Sequence, residues 1–233
     1  MSASRLKGKP LLEINNLPII CHVYNKAKET GLEAIVATED KEIMEAVLKN
    51  GGEVILTGKH NTGTDRIYEA YKKIKKKNID YVLNLQGDEP MIDAKDIINL
   101  NRLVMQHNSD IGTLAAEINE NKILKNKNVV KVITEKKLKN NNFTKALNFS
   151  REHILKENLN IYHHIGVYCY KISALEKFVN LNQSYNEIEN KLEQLRALDN
   201  NIQIDVALAK SPSIGVDTKE DFIDLKKIME YKS

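Results

Sequence analysis

The chain has 233 residues, of which 42% are hydrophobic and 29% are charged, and its formal net charge is +3. This composition is typical of a soluble globular protein, and the length suits one large domain or one domain with a sub-domain. The near-neutral charge, without a basic stripe that carries stacking aromatics, argues against nucleic acid as a partner. No apolar run has the length of a membrane helix, and the N-terminus has no apolar signal core, so we expect a cytoplasmic protein without a membrane partner.

The two cysteines, Cys21 and Cys169, are far apart in the sequence, and each lies in an apolar pattern. Neither has a cysteine or histidine at the spacing of a metal site. We therefore expect two buried thiols in a reducing compartment.

Residues 1–12 form a basic, glycine-containing segment. Arg5, Lys7 and Lys9 supply positive charge, and Gly8 allows the backbone to approach a ligand closely. This pattern is typical of a loop that cradles phosphates. A basic N-terminal tail without a ligand is the alternative.

Helices and strands alternate in the next part of the chain. The pattern predicts helices over residues 18–30 and 40–49, and strands over residues 34–37 and 54–56. Such alternation predicts an α/β fold with a mostly parallel sheet and helices on both faces.

A Gly-Thr-Asp-Arg sequence opens the following helix. Thr64 has the side chain of a helix N-cap, and helix N-termini bind anions. Arg66 stands in the first turn, where a cation opposes the helix dipole. Its position indicates an anionic ligand, such as a carboxylate or a phosphate. An exposed arginine that is tolerated at small cost is the alternative.

An acidic turn, Gln-Gly-Asp-Glu-Pro, follows a predicted buried strand at residues 79–85. Gly87 permits a sharp bend, so Asp88 and Glu89 are presented at the carboxyl end of a strand. Ligands bind at that edge of open α/β sheets, and Mg²⁺ is held by one or two carboxylates together with substrate phosphates. The alternative is that Asp88 only caps the helix that starts near Asp93.

The second half of the chain mixes strands and helices. A helix is predicted over residues 94–107 and a strand over 111–118, followed by strands at 129–134, 143–149 and 162–170. The connections between these later strands are too short for crossover helices, so we expect antiparallel pairing. The change in connection indicates a parallel nucleotide-binding half and a smaller mixed half within one domain.

Two polar features mark the C-terminal region. A predicted helix over residues 188–198 carries Glu193 and Gln194 among leucines, and a buried polar pair is unfavourable without hydrogen-bonding partners. Further on, a Thr-Lys-Glu-Asp sequence resembles a capping box for the last helix. That places Asp217 just before a helix N-terminus, as a cap or as a metal ligand.

Six motifs, in order along the whole chain, resemble those of the 3-deoxy-manno-octulosonate cytidylyltransferase (CMP-KDO synthetase) family. They are Arg5–Leu11, Gly63–Arg66, Gln86–Pro90, His164–Tyr168, Leu192–Arg196 and Gly215–Thr218. The resemblance implies a nucleotide-sugar-transferase-like (Rossmann-like) α/β fold and a Mg²⁺-dependent homodimer. It also implies that CTP and 3-deoxy-D-manno-octulosonate (KDO) give CMP-KDO and diphosphate, for the inner core of lipopolysaccharide.

The resemblance also implies roles for individual residues. The catalytic set consists of two metal ligands and two cations for the CTP phosphates, namely Asp88, Asp217, Arg5 and Lys9. The nucleotide-binding set is completed by Thr62, Gly63 and Thr64. The sugar acid is bound by Gln86, His164, Tyr168, Glu193, Gln194 and Arg66, the last of which pairs with the sugar carboxylate. Residues 1–118 then form the nucleotide-binding half, and residues 119–233 form the sugar-binding and dimerisation half.

Three features depart from the family pattern. The family begins with a hydrophobic strand before the basic loop, whereas Met1 falls inside that loop here. We therefore expect the first strand to be missing, with a natural start that lies upstream of Met1. Ala3 replaces a nucleotide-contacting serine. Residues 151–160 are shorter than usual; Arg151 there lies either near the site or at a surface or interface, and we expect His163 to be non-catalytic.

Two alternatives remain open at the level of sequence. The first is the same chemistry on 8-amino-KDO or on a sialic acid; Pro10 argues against sialic acid, because synthetases for sialic acid typically carry asparagine there. The second is a catalytically silent nucleotide-binding protein. The retained aspartates, Arg66 and the Glu-Gln pair argue against it. The number of Mg²⁺ ions is not determined.

Overall fold

The structure, a computed structural model, describes residues 6, 8–75, 78–154, 159–210, 212, 215–216 and 218–231. The chain divides into two units. The first unit comprises residues 1–76, 85–95 and 213–233, and the second unit comprises residues 77–84 and 96–212. These units are defined by packing alone. The predicted halves, 1–118 and 119–233, were assigned by the ligand that each would bind, and they stay a prediction.

The first unit begins with a 3₁₀ turn, Lys9–Leu11, and a small hairpin of β1 (Glu13–Ile14) and β2 (Leu17–Pro18). Asn15 and Asn16 connect the two strands with φ angles of 51° and 58°. Two successive left-handed residues are what a tight two-residue hairpin turn requires, and asparagine tolerates this conformation better than most residues.

Helices and strands then alternate as predicted. Their bounds are α1 (Ile19–Glu29), β3 (Val36–Thr38), α2 (Lys41–Lys49), β4 (Val54–Leu56) and α3 (Gly63–Lys73). β3 and β4 pair in parallel. The predicted βαβ alternation of this region is confirmed.

The helices α2 and α3 begin at side-chain caps. Asp40 accepts hydrogen bonds from the first turn of α2, and Thr62 Oγ1 accepts from Asp65 N at 3.1 Å to cap α3. The prediction that Thr64 caps α3 is wrong. Gly63 is already helical, so Thr64 lies inside the first turn with its side chain buried.

The last helix, α9 (Lys219–Tyr231), begins with the predicted capping box. Thr218 N donates to Asp221 Oδ2 at 2.8 Å, and Asp221 N donates to Thr218 Oγ1 at 3.1 Å. Two backbone donors that a helix start leaves without helical partners are thereby satisfied reciprocally. This prediction is confirmed.

One core cluster of the first unit joins its earliest and latest segments. Ile14 and Ile19 are fully buried together with Val216 and Leu225. Leu12 and other partly buried apolar side chains pack around them. Because burial of each such side chain contributes about 1.5–3 kcal/mol, α9 and the N-terminal hairpin stabilise each other.

The second unit is built on a six-stranded mixed sheet. Its strands are β5 (Tyr81–Asn84), β6 (Ile111–Ala116), β7 (Lys131–Thr134), β8 (Phe143–Ser150), β9 (Asn160–Lys171) and β10 (Ile204–Leu208). Their order is β5-β9-β6-β10-β8-β7, and β7 also pairs with β9. β6 and β10 are parallel, whereas the other pairings in this sheet are antiparallel. The α/β class and the antiparallel pairing of the later strands are confirmed. The parallel pairing that was expected for most of the sheet is limited, among the described residues, to β3 with β4 and β6 with β10.

The helices that begin after residue 90 and before residue 200 are α4 (Ala94–His107), α5 (Asn121–Lys125), α6 (Ile172–Val179), α7 (Tyr185–Asn190) and α8 (Leu195–Asp199).

A membrane-spanning helix needs a long apolar stretch. Over the ranges that the structure describes, no helix is both long and apolar enough to cross a membrane.

The predicted single helix over residues 188–198 is wrong. α7 ends at Asn190 because Lys191 adopts a left-handed conformation with φ 53°. Leu192 N then donates to Glu187 O at 3.2 Å, which is the closing hydrogen bond of a Schellman motif, and the Leu192 side chain is buried. Glu193 and Gln194 therefore lie on a turn between two short helices.

Both cysteines are buried free thiols, Cys21 in α1 and Cys169 in β9. Burial raises the pKa of Cys169 to about 12, so its reactive thiolate is strongly disfavoured. The prediction of buried thiols is confirmed, and the reducing compartment stays a prediction.

Gly112, in β6, permits close packing that a side chain would prevent. A Cβ at this position would lie 2.3 Å from Val104 Cγ2 and 3.1 Å from Leu100 Cδ1. We expect Gly112→Ala to lower the free energy of unfolding by about 1–3 kcal/mol, because overpacking forces neighbouring groups to move. Gly63→Ala is the control, since nothing lies within 4 Å of its added Cβ. Equal urea-unfolding free energies for the two variants would contradict this account.

Candidate active site

The acidic turn is held by the ammonium group of Lys9. Lys9 Nζ forms an ion pair with Asp88 Oδ2 and donates to the carbonyl of Val216 at 2.9 Å. Val216 N in turn donates to Asp88 O at 3.0 Å. The side chains of Lys9 and Asp88 are only 12% and 24% exposed. Segments that are far apart in the sequence therefore meet at one carboxylate.

Asp88 does not cap α4. That role belongs to Asp93, whose Oδ1 accepts from Lys95 N at 2.8 Å. Gly87 lies close to α1, since a Cβ at Gly87 would be 3.0 Å from Ile20 Cδ1. The capping alternative for Asp88 is wrong, and its carboxylate instead faces a cation.

The groups at this turn fit a hard cation. Carboxylate oxygens are the protein ligands that Mg²⁺ uses together with substrate phosphates, and the Lys9 ammonium marks a place beside Asp88 where positive charge is favoured. Among the described residues, no group of three or more histidines, cysteines, aspartates or glutamates is arranged so that it could hold a metal ion. Arg5 and Asp217 lie outside the described residues, so their roles stay predictions.

Arg66 is largely buried rather than exposed. Its side chain is 14% exposed, with Nη2 3.6 Å from Glu39 Oε1 and Nη1 3.4 Å from Thr57 Oγ1. The alternative of an exposed arginine is therefore wrong. Both contacts are long for a charge-assisted hydrogen bond, so an ionised ligand at normal distance would bind this guanidinium more strongly.

The start of α3 offers a helix N-terminus next to an open space. Thr62 Oγ1 donates to Asp65 Oδ2 at 2.8 Å in addition to its capping bond. Nothing lies within 4 Å of a Cβ built on Gly63. A ligand can approach the backbone closely there, and helix N-termini favour anions. Gln86 lies in the same unit, half-buried, and its carbonyl accepts from Glu89 N at 3.3 Å.

His164 is buried in the second unit and is held by Thr113. The Thr113 hydroxyl donates to Val167 O at 2.7 Å, and its oxygen lies 3.0 Å from His164 Nε2. Because the single hydroxyl proton is used on Val167, we assign the imidazole donor to Nε2. Burial, with smaller contributions from the charges of His163 and Arg151, lowers the pKa of His164 to about 3. The imidazole is therefore neutral at physiological pH.

An irregularity in β9 separates His164 from Tyr168. The register against β6 shifts between Thr113, which is opposite Tyr168, and Leu114, which is opposite Ile165. The Thr113 hydrogen bond to Val167 fixes this bulge. The rings of His164 and Tyr168 lie 5.5 Å apart as a result. Bulges of this kind re-aim side chains and occur often beside active sites.

Glu193 and Gln194 are half-buried on the turn between α7 and α8. The expected burial of this pair is only partial, because Leu192 and Leu195 fill the core on either side of it. Arg196 Nη2 lies 3.9 Å from Glu193 Oε1. The Glu193 side chain is 24% exposed, so this acid-amide pair is able to meet a hydroxylated ligand.

Arg151 and His163 lie near a lysine that sequence reasoning missed. Lys131 is fully buried, and its ammonium donates to the carbonyls of Asn126 at 3.0 Å, Val129 at 3.0 Å and Arg151 at 2.6 Å. Burial lowers the pKa of Lys131 and also that of half-buried His163. The sequence feature that could have revealed this buried lysine is a single lysine within the apolar alternation of β7.

The chain matches the cytidylyltransferase family over residues 1–204. It is 41% identical over 232 residues to 3-deoxy-manno-octulosonate cytidylyltransferase of Bartonella bacilliformis, covering 98% of this chain and 95% of that relative. It is 42% identical over 243 residues to the protein of the same name from Thermodesulfovibrio yellowstonii, covering 99% of this chain and 95% of that relative.

Solved structures resemble the chain over its whole length. A structure of CMP:2-keto-3-deoxy-manno-octonic acid synthetase complexed with CTP is similar with a TM-score of 0.88 and 32% identity, covering 99% of this chain and 95% of that one. UDP-glucose pyrophosphorylase complexed with UDP-glucose shares the fold with a TM-score of 0.73 at 14% identity, covering 100% of this chain and 96% of that one.

The lowered pKa of His164 predicts a loss of stability in mild acid. The unfolded histidine takes up a proton near its ordinary pKa of 6.5, whereas the folded one does so only near 3. Between these values the unfolded chain binds more protons, so stability is fully present above pH 6.5 and falls as the pH drops, by about 1.4 kcal/mol per pH unit.

Urea unfolding between pH 7 and pH 4 measures this slope. We expect it to be shallower in His164→Gln than in the wild type, because glutamine does not titrate. The contribution of His163 is common to both proteins and cancels. Parallel slopes for the two proteins would show that His164 is not held neutral.

Proposed function

The chain belongs to the 3-deoxy-manno-octulosonate cytidylyltransferase family, and we propose on that premise that it catalyses the reaction of CTP with KDO to give CMP-KDO and diphosphate. The observation that carries the proposal is the similarity over nearly the whole chain to enzymes of that name. The likeness to a related synthetase complexed with CTP supports the choice of nucleotide.

The reaction joins a sugar hydroxyl to the α-phosphate of CTP. The anomeric 2-hydroxyl oxygen attacks this phosphorus, and a new O–P bond forms. The bond to the bridging oxygen breaks, and diphosphate leaves with the electron pair while the hydroxyl proton is released. Alignment and charge stabilisation supply most of the acceleration in such a transfer, so the chain needs cations and a binding surface rather than a covalent nucleophile.

The first unit supplies the charge-bearing groups in this proposal. Lys9, which is already oriented by Asp88 and Val216, binds phosphate oxygens of CTP, and Arg5 assists it. Asp88 holds Mg²⁺ together with Asp217, and the ion when bound neutralises charge on the transferred phosphate. Residues Thr62, Gly63 and Thr64 border the nucleotide at the N-terminus of α3.

The sugar acid is assigned to arginine and to neutral polar side chains. Arg66 pairs with the sugar carboxylate, which replaces its long contact to Glu39. His164, neutral and fixed by Thr113, hydrogen-bonds with a hydroxyl rather than pairing with the carboxylate. The remaining members of the proposed sugar set are Gln86, Tyr168, Glu193 and Gln194.

The wider role follows the same family premise. The product would serve the inner core of lipopolysaccharide, and the enzyme would act as a homodimer in the cytoplasm. Analytical ultracentrifugation of the purified chain tests the dimer directly. A sedimentation coefficient that fits one chain of 26.6 kDa across micromolar concentrations would refute it.

Diphosphate release from Mg·CTP tests the function, with KDO, 8-amino-KDO and N-acetylneuraminate compared side by side. We expect KDO to give the highest kcat/KM, and Asp88→Asn to lower it at least about 100-fold, because a ligand charge at the reacting phosphate is lost. Asp93→Asn is the matched control, since asparagine caps α4 as well as aspartate does. CTP binding without turnover of any sugar would favour a silent nucleotide-binding protein.

The ion pair between Lys9 and Asp88 also predicts a change in the affinity for a metal ion. Lys9→Met removes a positive charge next to Asp88, so we expect Mn²⁺, used as a probe in the absence of CTP, to bind about tenfold more tightly. The same variant should lose turnover, because the CTP phosphates lose a cation. Lys95→Met, an exposed lysine of the same unit, is the control. Unchanged Mn²⁺ affinity in Lys9→Met, measured by calorimetry, would argue against a cation site at Asp88.

A further inference from the structure

A buried ion pair lies directly behind the turn that carries Glu193 and Gln194. Arg196 Nε donates to Glu187 Oε2 at 2.8 Å, and Arg196 Nη2 donates to Glu187 Oε1 at 2.6 Å. Each side chain is only 4% exposed. Two parallel hydrogen bonds between a guanidinium and a carboxylate fix direction as well as distance.

The pair is completed by further contacts on both sides. Gln183 Nε2 donates to Glu187 Oε1 at 3.1 Å, and Ser184 N donates to Glu187 Oε2 at 3.2 Å as part of the capping box of α7. The guanidinium carbon of Arg196 lies 4.7 Å from the centre of the Phe178 ring. Neither charge is left uncompensated, which is the condition for keeping an ion pair in a protein interior.

The backbone of the turn is tied to the same two residues. Leu192 N donates to the carbonyl of Glu187, and Arg196 N donates to the carbonyl of Glu193 at 3.1 Å. The pair thus joins the last helical carbonyls of α7 to the first turn of α8. Lys191, in its left-handed conformation, and the buried leucines set the path between them. The conformation of residues 191–195 therefore depends on this ion pair together with Lys191 and the leucines.

We propose that Arg196 is a positioning residue for the sugar acid, which with Glu187 holds Glu193 and Gln194 in the orientation that binds the sugar hydroxyls. Arg196 does not itself touch the substrate; it acts through the turn and through its position 3.9 Å from the Glu193 carboxylate. This inference rests on the proposed function and adds to it a residue that determines affinity for the sugar and not for CTP.

Steady-state kinetics of Arg196→Lys test the proposal. Lysine keeps the charge but loses the two-pronged geometry. We expect KM for KDO to rise about tenfold, while kcat and KM for CTP stay within about twofold of the wild type. Leu100→Ala, which alters the core of the same unit beneath Gly112, is the control for a general loss of stability. It should lower Tm without changing KM for KDO.

A double-variant comparison separates action through Glu193 from an independent effect. If Arg196 acts through the turn, Arg196→Lys added to Glu193→Ala should raise KM for KDO less than about twofold further. Hydrogen exchange of the amides of residues 192–196 should also be faster in Arg196→Lys than in Leu100→Ala. Multiplicative effects on KM would overturn the route through Glu193.

The outcomes distinguish a failure of the proposed function from a failure of the role assigned to Arg196. Wild-type protein that does not turn over KDO overturns the proposed function and this assignment with it. Wild-type turnover, combined with an unchanged KM for KDO in Arg196→Lys and a lowered Tm, overturns the assignment alone and leaves the ion pair a purely structural one.

Discussion

The ion pair between Lys9 and Asp88 is the interaction on which the first unit depends. It brings the N-terminal loop, the acidic turn and the segment at Val216 to a single point. A partly buried carboxylate without a cation would be unfavourable, and so would a partly buried ammonium without an anion. The charge balance that stabilises these loops is therefore the same one that, in the proposed function, would prepare the turn for phosphates and for a metal ion.

In the second unit, buried polar groups are paired with the main chain and with neutral side chains. Lys131 is solvated by three backbone carbonyls. The imidazole of His164 stays neutral because burial disfavours its charged form, and Thr113 supplies its hydrogen-bonding partner. The irregular features, namely the bulge of β9 and the left-handed Lys191, lie next to residues assigned to the sugar. Regular structure here forms the scaffold, and local departures from it direct the side chains that we assign to the substrate.

The sequence predicted the regular elements well because their signals are local. The alternation of residues 18–56 and the capping box at Thr218 depend on neighbours in the chain. The break in the helix over residues 188–198 was missed, since its leucine spacing suits a helix and the stop comes from a left-handed lysine, where glycine is usual. The spacing of residues along the sequence does not encode tertiary distances. It therefore did not predict the ion pair of Glu187 with Arg196 or the three carbonyls that bind the Lys131 ammonium.

The core cluster of Ile14, Ile19, Val216 and Leu225 has a consequence for the order of folding. A ribosome makes the hairpin well before α9, so the apolar face of the hairpin leaves the ribosome long before its partners exist. Contacts between residues that are so far apart in the sequence also form slowly. The nascent first unit therefore lacks the partners of Ile14 and Ile19 until Val216 and Leu225 have been made, a period in which a chaperone that holds apolar segments would protect it from aggregation.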